Sequence, residues 1–180
     1  MTMPTAFQYL DAENIHYQML HHPRTESLAE TAVLAQIPLN QLARVEVVEL
    51  VGFASSNDFT RVMMVIPADC EVFPKALAKE LGCKQVNLLS DAVLEHMFSD
   101  CEVGAEPPFG HLYGMNVLFA RELFERFEIV FKGGNHETLV RMNTLDFCNQ
   151  VRTQLIEHGY GTVDVDIPFT EQASKPWRWL

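Results

Sequence analysis

The longest apolar runs of the sequence, such as Val62 to Pro67 (VMMVIP), are only a few residues long. A membrane-crossing helix needs about 20 apolar residues, whereas a buried central strand needs about four to eight. Arg61–Ile66 is therefore expected as a central strand, and its partners must come from the other short segments. Arg44 to Leu50 alternates, with Val45 and Val47 on one side and Glu46 and Val48 on the other, as a half-buried strand does. Ile15–His21 alternates in the same way, and Gln85–Leu88, Val117–Ala120, Phe127–Phe131 and Thr138–Met142 complete the strand candidates. Helices are expected over Phe7–Glu13, from Ser27 to about Gln36, over Phe73–Leu81 with Gly82 as its stop, over Asp91–Met97, and from Thr144 to about Glu157 behind an Asn143 cap. Ser27-Leu-Ala-Glu30 has the form of a capping box, and Ser55 to Asp58 that of a turn. Some strands are joined by tight turns and others by helices, which predicts an α/β (α+β) fold with mixed strand directions.

No repeat, low-complexity tract or linker divides the 180 residues, and an apolar fraction of 48% supplies a core without staples. We expect one domain over residues 1–158 and a C-terminal tail, 159–180, packed on it. Within the tail, Val163–Ile167 suits an edge strand. Trp177 and Trp179 suit folding back onto the domain, since each buries much apolar area; a partner or homodimer contact is the alternative. The net charge of −11 is spread along the chain, with no basic run and five lysines. That argues against a broad phosphate-binding face and leaves room for a small pocket gripping one strand end. Four cysteines without CxxC spacing read as reduced thiols, and the first residues lack a secretory signal. Both point to the cytoplasm.

Two segments are candidates for chemistry. Cys101-Glu-Val-Gly104-Ala-Glu-Pro-Pro108-Phe-Gly110 is a stiff loop in which glycine permits close backbone approach. Gly133-Gly134-Asn135-His136 is a turn whose histidine can reach a ligand. His21 and His22 stand at a strand end. GxGxxG, GK[ST] and GxSxG are absent, so no dinucleotide site, P-loop or serine elbow is expected. No metal or cofactor is expected either; His96, Cys101 and His111 are a weak combination for metal ligands, since the cysteines are scattered and no HxxxH spacing exists.

Taken in order, the HHP segment, the strand from Arg44, VMMVIPADCEVFPKALAKELG, CEVGAEPPFG and FKGGNHETLVRM resemble the YbaK/ProX domain over residues 5–150. The resemblance implies a mixed sheet curved around a pocket with helices outside. It also implies hydrolysis of the ester between a wrong, small amino acid and the 3′ end of tRNA. Carried over by position, Gly104 and Pro108 match the GxxxP loop, and Gly133, Gly134 and His136 match the later glycine turn. These would contact the substrate, with Gly104 and Gly133 as backbone donors. Where the family has a lysine at the strand start, this chain has Arg44 followed by Val45. Arginine stays protonated, so Arg44 would act as an electrostatic anchor and His136 as the partner that positions water or a hydroxyl. Lys75, Lys79 and Lys132 are the amines open to replace the missing one, and Lys132 is best placed by sequence. The alternative reading is a regulatory module that kept the pocket, lost the chemistry and binds a small amino-acid-like ligand.

Overall fold

The computed structural model describes residues 5–52 and 59–163. In chain order the elements are α1 (Thr5–Ala12), β1 (Tyr17–His21), α2 (Leu28–Ala35), β2 (Ala43–Val51), β3 (Phe59–Pro67), β4 (Cys70–Val72), α3 (Pro74–Leu81), β5 (Gln85–Leu88), α4 (Asp91–Met97), β6 (Asn116–Ala120), α5 (Arg121–Phe124), β7 (Glu128–Lys132), β8 (Thr138–Asn143), α6 (Thr144–Val151), β9 (Gln154–Ile156) and β10 (Tyr160–Thr162). The apolar run in β3 lies at the centre of a five-stranded sheet of order β5-β2-β3-β6-β9. Met63, Met64, Val65 and Ile66 are all fully buried, so both faces of β3 are covered. That is why the run is continuous rather than alternating. β2 pairs antiparallel with β3 and β5, while β6 runs parallel to β3 and β9.

A second, antiparallel sheet has the order β1-β8-β7. A bridge from Leu42, just before β2, to Val130 in β7 joins the two sheets at one corner. Four phenylalanines pack together in the main core, apart from the cluster that holds Leu42 and Val130: Phe109, Phe119 in β6, Phe131 in β7 and Phe147 in α6, each fully buried. Their ring centroids lie 5.3 to 6.4 Å apart. The cluster therefore fixes both sheets relative to the loop that precedes Gly110.

Local signals act much as expected at the ends of elements. The Ser27 hydroxyl accepts the Glu30 amide at 3.2 Å, but Glu30 returns its carboxylate to the Glu26 amide, one residue earlier than the capping-box pattern. Gly82 closes α3 with φ +68°. The last helix is a correction. It ends at Val151 because Arg152 turns left-handed at φ 56°, and Gln154–Ile156 becomes a strand beside β6. A three-residue strand carries too little periodicity to be told from a continuing helix. β4 and β10 escape notice for the same reason; they pair with each other. Tyr160–Thr162 is thus an edge strand a few residues ahead of the expected one. Ser55–Asp58, most of Val163–Ile167, Trp177 and Trp179 lie outside the described residues.

Candidate active site

Three chain segments converge beside the start of β2. The 22–25 segment continues β1 alongside the glycine turn, with the His22 amide bonded to Glu137 O and the Thr25 amide to His136 O. The loop 101–110 is stitched to the same turn: Glu102 N donates to Gly134 O and Gly134 N to Ala105 O, both at 2.8 Å. The Glu102 carboxylate accepts the His136 amide at 3.0 Å and also pairs with Arg24 at 3.0 Å. Between these segments, β2 and α4 lies a cleft of about 500 Å³, walled in part by Arg44, Glu46, Gly104, Glu106, Lys132 and His136.

Of the residues singled out from sequence, Arg44, Gly104 and His136 border this cleft. Pro108, Gly133 and Gly134 do not. Pro108 is buried in the loop. The Gly133 amide is bonded to Thr138 O at 2.9 Å, and a Cβ there would lie 2.9 Å from the Phe7 ring. Both turn glycines therefore have their amides occupied by protein carbonyls, which corrects the expectation of a backbone donor at Gly133. The Gly104 amide is engaged as well, by the Glu106 carboxylate at 3.0 Å.

Arg44 and Glu46 share one face of β2, as residues two apart on a strand must. The guanidinium donates to Cys70 O at 2.9 Å and its Nε lies 3.4 Å from Glu46 Oε1. Burial raises the Glu46 carboxyl above its ordinary range, and Arg44 opposes the shift. Burial likewise raises Glu106, against the pull of its amide bonds and of Lys132.

Lys132 is the amine that reaches the cleft. It ends β7, where four successive residues, Ile129 to Lys132, are buried, and it is only 5% exposed. Its Nζ lies 2.8 Å from His136 Nδ1. The other ring nitrogen, Nε2, lies 3.0 Å from Val103 O, which can only accept. The neutral ring therefore carries its proton on Nε2 and offers the Nδ1 lone pair to Lys132. Burial lowers the Lys132 ammonium to about 8, while Glu106 and Glu102 act in the opposite direction. Sequence signals this residue only through its place before the glycine turn. Its burial depends on how β7 packs.

The remaining candidates lie elsewhere. His21 is within 3.2 Å of the Thr138 hydroxyl, and His22 is buried with Nδ1 at 2.8 Å from Pro23 O. Among the described residues no three His, Cys, Asp or Glu side chains converge as a metal site would require. His111 sits between the Tyr9 and Phe109 rings.

The model of the aminoacyl-tRNA editing domain matches residues 22–149. The chain belongs to that family. All the cleft residues named above fall inside the matched span, while β9 and β10 lie beyond it. Solved structures agree on the fold of this editing domain. A hypothetical protein, APE2540, has a TM-score of 0.73 at 18% identity, over 85% of this chain and 97% of its own. A candidate trans-editing enzyme for prolyl-tRNA synthetase has 0.70 at 15% identity, over 89% and 100%. A candidate signal transduction protein from Marinobacter aquaeolei VT8 has 0.60 at 14% identity, over 87% of this chain and 30% of its own. No curated protein matches the sequence at a significant level. Among the described residues of the editing domain, no helix is long and apolar enough to cross a membrane.

Gly104 provides a direct probe of the loop wall. At φ +79° a side chain is strained, and its Cβ would sit 3.7 Å from His136 Cε1. Gly104→Val is expected to cost about 1–3 kcal/mol of stability and to remove binding of an alanyl-adenosine analogue. Calorimetric binding and chemical denaturation, run side by side, separate the two effects. Normal binding in a folded variant would take the loop out of the site.

Proposed function

We propose that this editing domain is an aminoacyl-tRNA deacylase that hydrolyses the ester joining a small amino acid to the 3′-terminal ribose. The observation that carries this reading is the convergence of Arg44, Lys132 and His136 on one cleft inside the family span. Ester hydrolysis develops negative charge on the carbonyl oxygen, and fixed cations and N–H groups in a cleft stabilise it. Arg44, permanently charged and braced by Cys70 O and Glu46, suits an anchor for the carbonyl or the terminal phosphate. The structural neighbour described as a candidate trans-editing enzyme for prolyl-tRNA synthetase supports the same reading by its name. A tRNA substrate and free thiols at Cys70, Cys83, Cys101 and Cys148 both suit a cytoplasmic protein.

The second reading is a non-catalytic module that binds a small amino-acid-like ligand. It draws on Arg44, whose guanidinium already has protein partners and cannot act as a titrating base. It also draws on the neighbour described as a candidate signal transduction protein, of which this chain spans 30%.

Deacylation of a panel of mischarged tRNAs, corrected for spontaneous hydrolysis, decides between the two. Turnover of an alanyl or similarly small ester supports the first. Analogue binding without turnover on any member supports the second. With a net charge of −11, tRNA affinity should rest on few phosphates. The slope of log K against log salt is then expected to be shallow, each contact contributing about −0.7 to −0.9. A slope matching roughly six or more contacts would reveal a concentrated basic patch.

A further inference from the structure

We propose that Lys132, held by His136, is the catalytic cation of the cleft, the group that contacts the ester carbonyl oxygen as it gains negative charge. The inference rests on the deacylase reading.

Among the described residues, three Lys or Arg side chains border the cleft: Arg24, Arg44 and Lys132. They differ in what else they do. Arg24 is half exposed, and its Nη1 donates to both carboxylate oxygens of Glu102. Arg44 is bonded to Cys70 O and faces Glu46. Lys132 has a neutral acceptor, the His136 Nδ1, and an ammonium carries three N–H donors. One donor is directed by the imidazole, which leaves two for a ligand. A 5% exposed ammonium is costly to maintain and is seldom found without a partner charge. Here the imidazole is locked in turn by Val103 O, and its backbone amide by Glu102. The orientation of Nζ is thus determined by a chain of fixed contacts running from the loop through the turn to β7. Preorganisation of this kind is what makes a cation effective against a developing oxyanion.

The step balances without any other reactant. Water attacks the carbonyl carbon, a C–O bond forms, and the carbonyl π pair moves onto oxygen, where Lys132 donates a hydrogen bond. Collapse of the adduct breaks the bond to the ribose oxygen, which leaves with the proton released by the water. Free amino acid and a terminal hydroxyl result. His136 is a positioning residue in this scheme.

The charged and titratable groups that act on Lys132 are Glu106 and Glu102 from the loop, Arg24 and Glu26 from the segment before α2, His22 just after β1, and His136 itself. As an ammonium donor, Lys132 should support turnover below its ionisation and lose it as pH rises through about 8.

The test compares the full-length wild type with Lys132→Met, Lys132→Arg and, as a control on the outer helix α3, Lys79→Met. Turnover of a mischarged alanyl-tRNA is read from about pH 6.5 to 9.5, roughly 1.5 units either side of the group. Lys132→Met is expected to lose about 100-fold or more in kcat. Lys132→Arg should keep measurable turnover and lose the alkaline fall, because guanidinium does not titrate there. Wild-type turnover that survives in Lys132→Met within about threefold, or an alkaline fall unchanged in Lys132→Arg, would overturn the proposal. A wild type without turnover would instead refute the deacylase reading. Binding of the non-hydrolysable 3′-alanylamino-3′-deoxyadenosine then decides the residue's role. A tenfold weaker Kd in Lys132→Met keeps Lys132 as the ligand-contacting cation, and an unchanged Kd or no wild-type binding removes it.

Discussion

Phe147→Ala is expected to destabilise the protein by about 3–5 kcal/mol, the range for deleting a buried phenylalanine where the cavity cannot collapse. Phe147 is fully buried, and its ring meets Phe109, Phe119 and Phe131 at centroid distances of 5.6, 5.3 and 6.4 Å. Those partners belong to the loop before Gly110, to the five-stranded sheet and to the three-stranded sheet. Four rigid elements therefore meet at one ring, and none can move inward without disturbing the other three. The Phe109–Phe147 pair is edge-to-face, an arrangement that adds roughly 0.5–1.5 kcal/mol beyond area. The functional consequence follows from the same geometry, since the loop bearing Gly104 is anchored through Phe109. Urea denaturation gives the stability and analogue binding gives the site. A loss under about 1 kcal/mol would show that the cluster does not fasten the sheets together.

Arg44→Ala is expected to reduce kcat/KM by roughly 10- to 100-fold, equivalent to the ~1.5–3 kcal/mol of a charge-assisted hydrogen bond. Two effects add. The substrate loses an anchor, and Glu46, which Arg44 faces at 3.4 Å, loses its countercharge beside the cleft. Arg44→Lys preserves the charge and is expected to retain most of the activity. The loss in Arg44→Ala should be smaller than that in Lys132→Met, because Lys132 borders the same cleft and supplies a second cation. Full activity in Arg44→Ala would remove the start of β2 from the site. A complete loss there, with Lys132→Met active, would restore Arg44 as the principal cation.

How far the sequence alone reaches can be judged from particular elements. Arg61–Ile66 reads as a central strand because burial on both faces demands a continuous apolar run. Ser27, Gly82 and Asn143 mark element ends because their capping chemistry is local: a hydroxyl or amide oxygen for orphan amides, and a glycine for positive φ. The ordered motifs from HHP to FKGGNHETLVRM also carry the family, which the match over 22–149 states directly. Short strands are different. Cys70–Val72, Gln154–Ile156 and Tyr160–Thr162 exist only because a partner strand lies alongside, and three residues hold no period of their own.

The site divides along the same line. Sequence singled out Arg44, Gly104, Pro108, Gly133, Gly134 and His136, residue types and loop positions visible in one dimension, of which only Arg44, Gly104 and His136 border the cleft. Tertiary structure decided which of them share a cleft. It also decided that the amides of Gly133 and Gly134 are held by Thr138 O and Ala105 O, and that the Lys132 ammonium is buried 2.8 Å from an imidazole nitrogen. Propensity, capping and apolar period are written in neighbouring residues and can be read from them. A hydrogen-bond acceptor brought from a distant loop, as Ala105 O is to Gly134, or the burial that moves an amine's ionisation, is a property of packing, and only the folded chain specifies it.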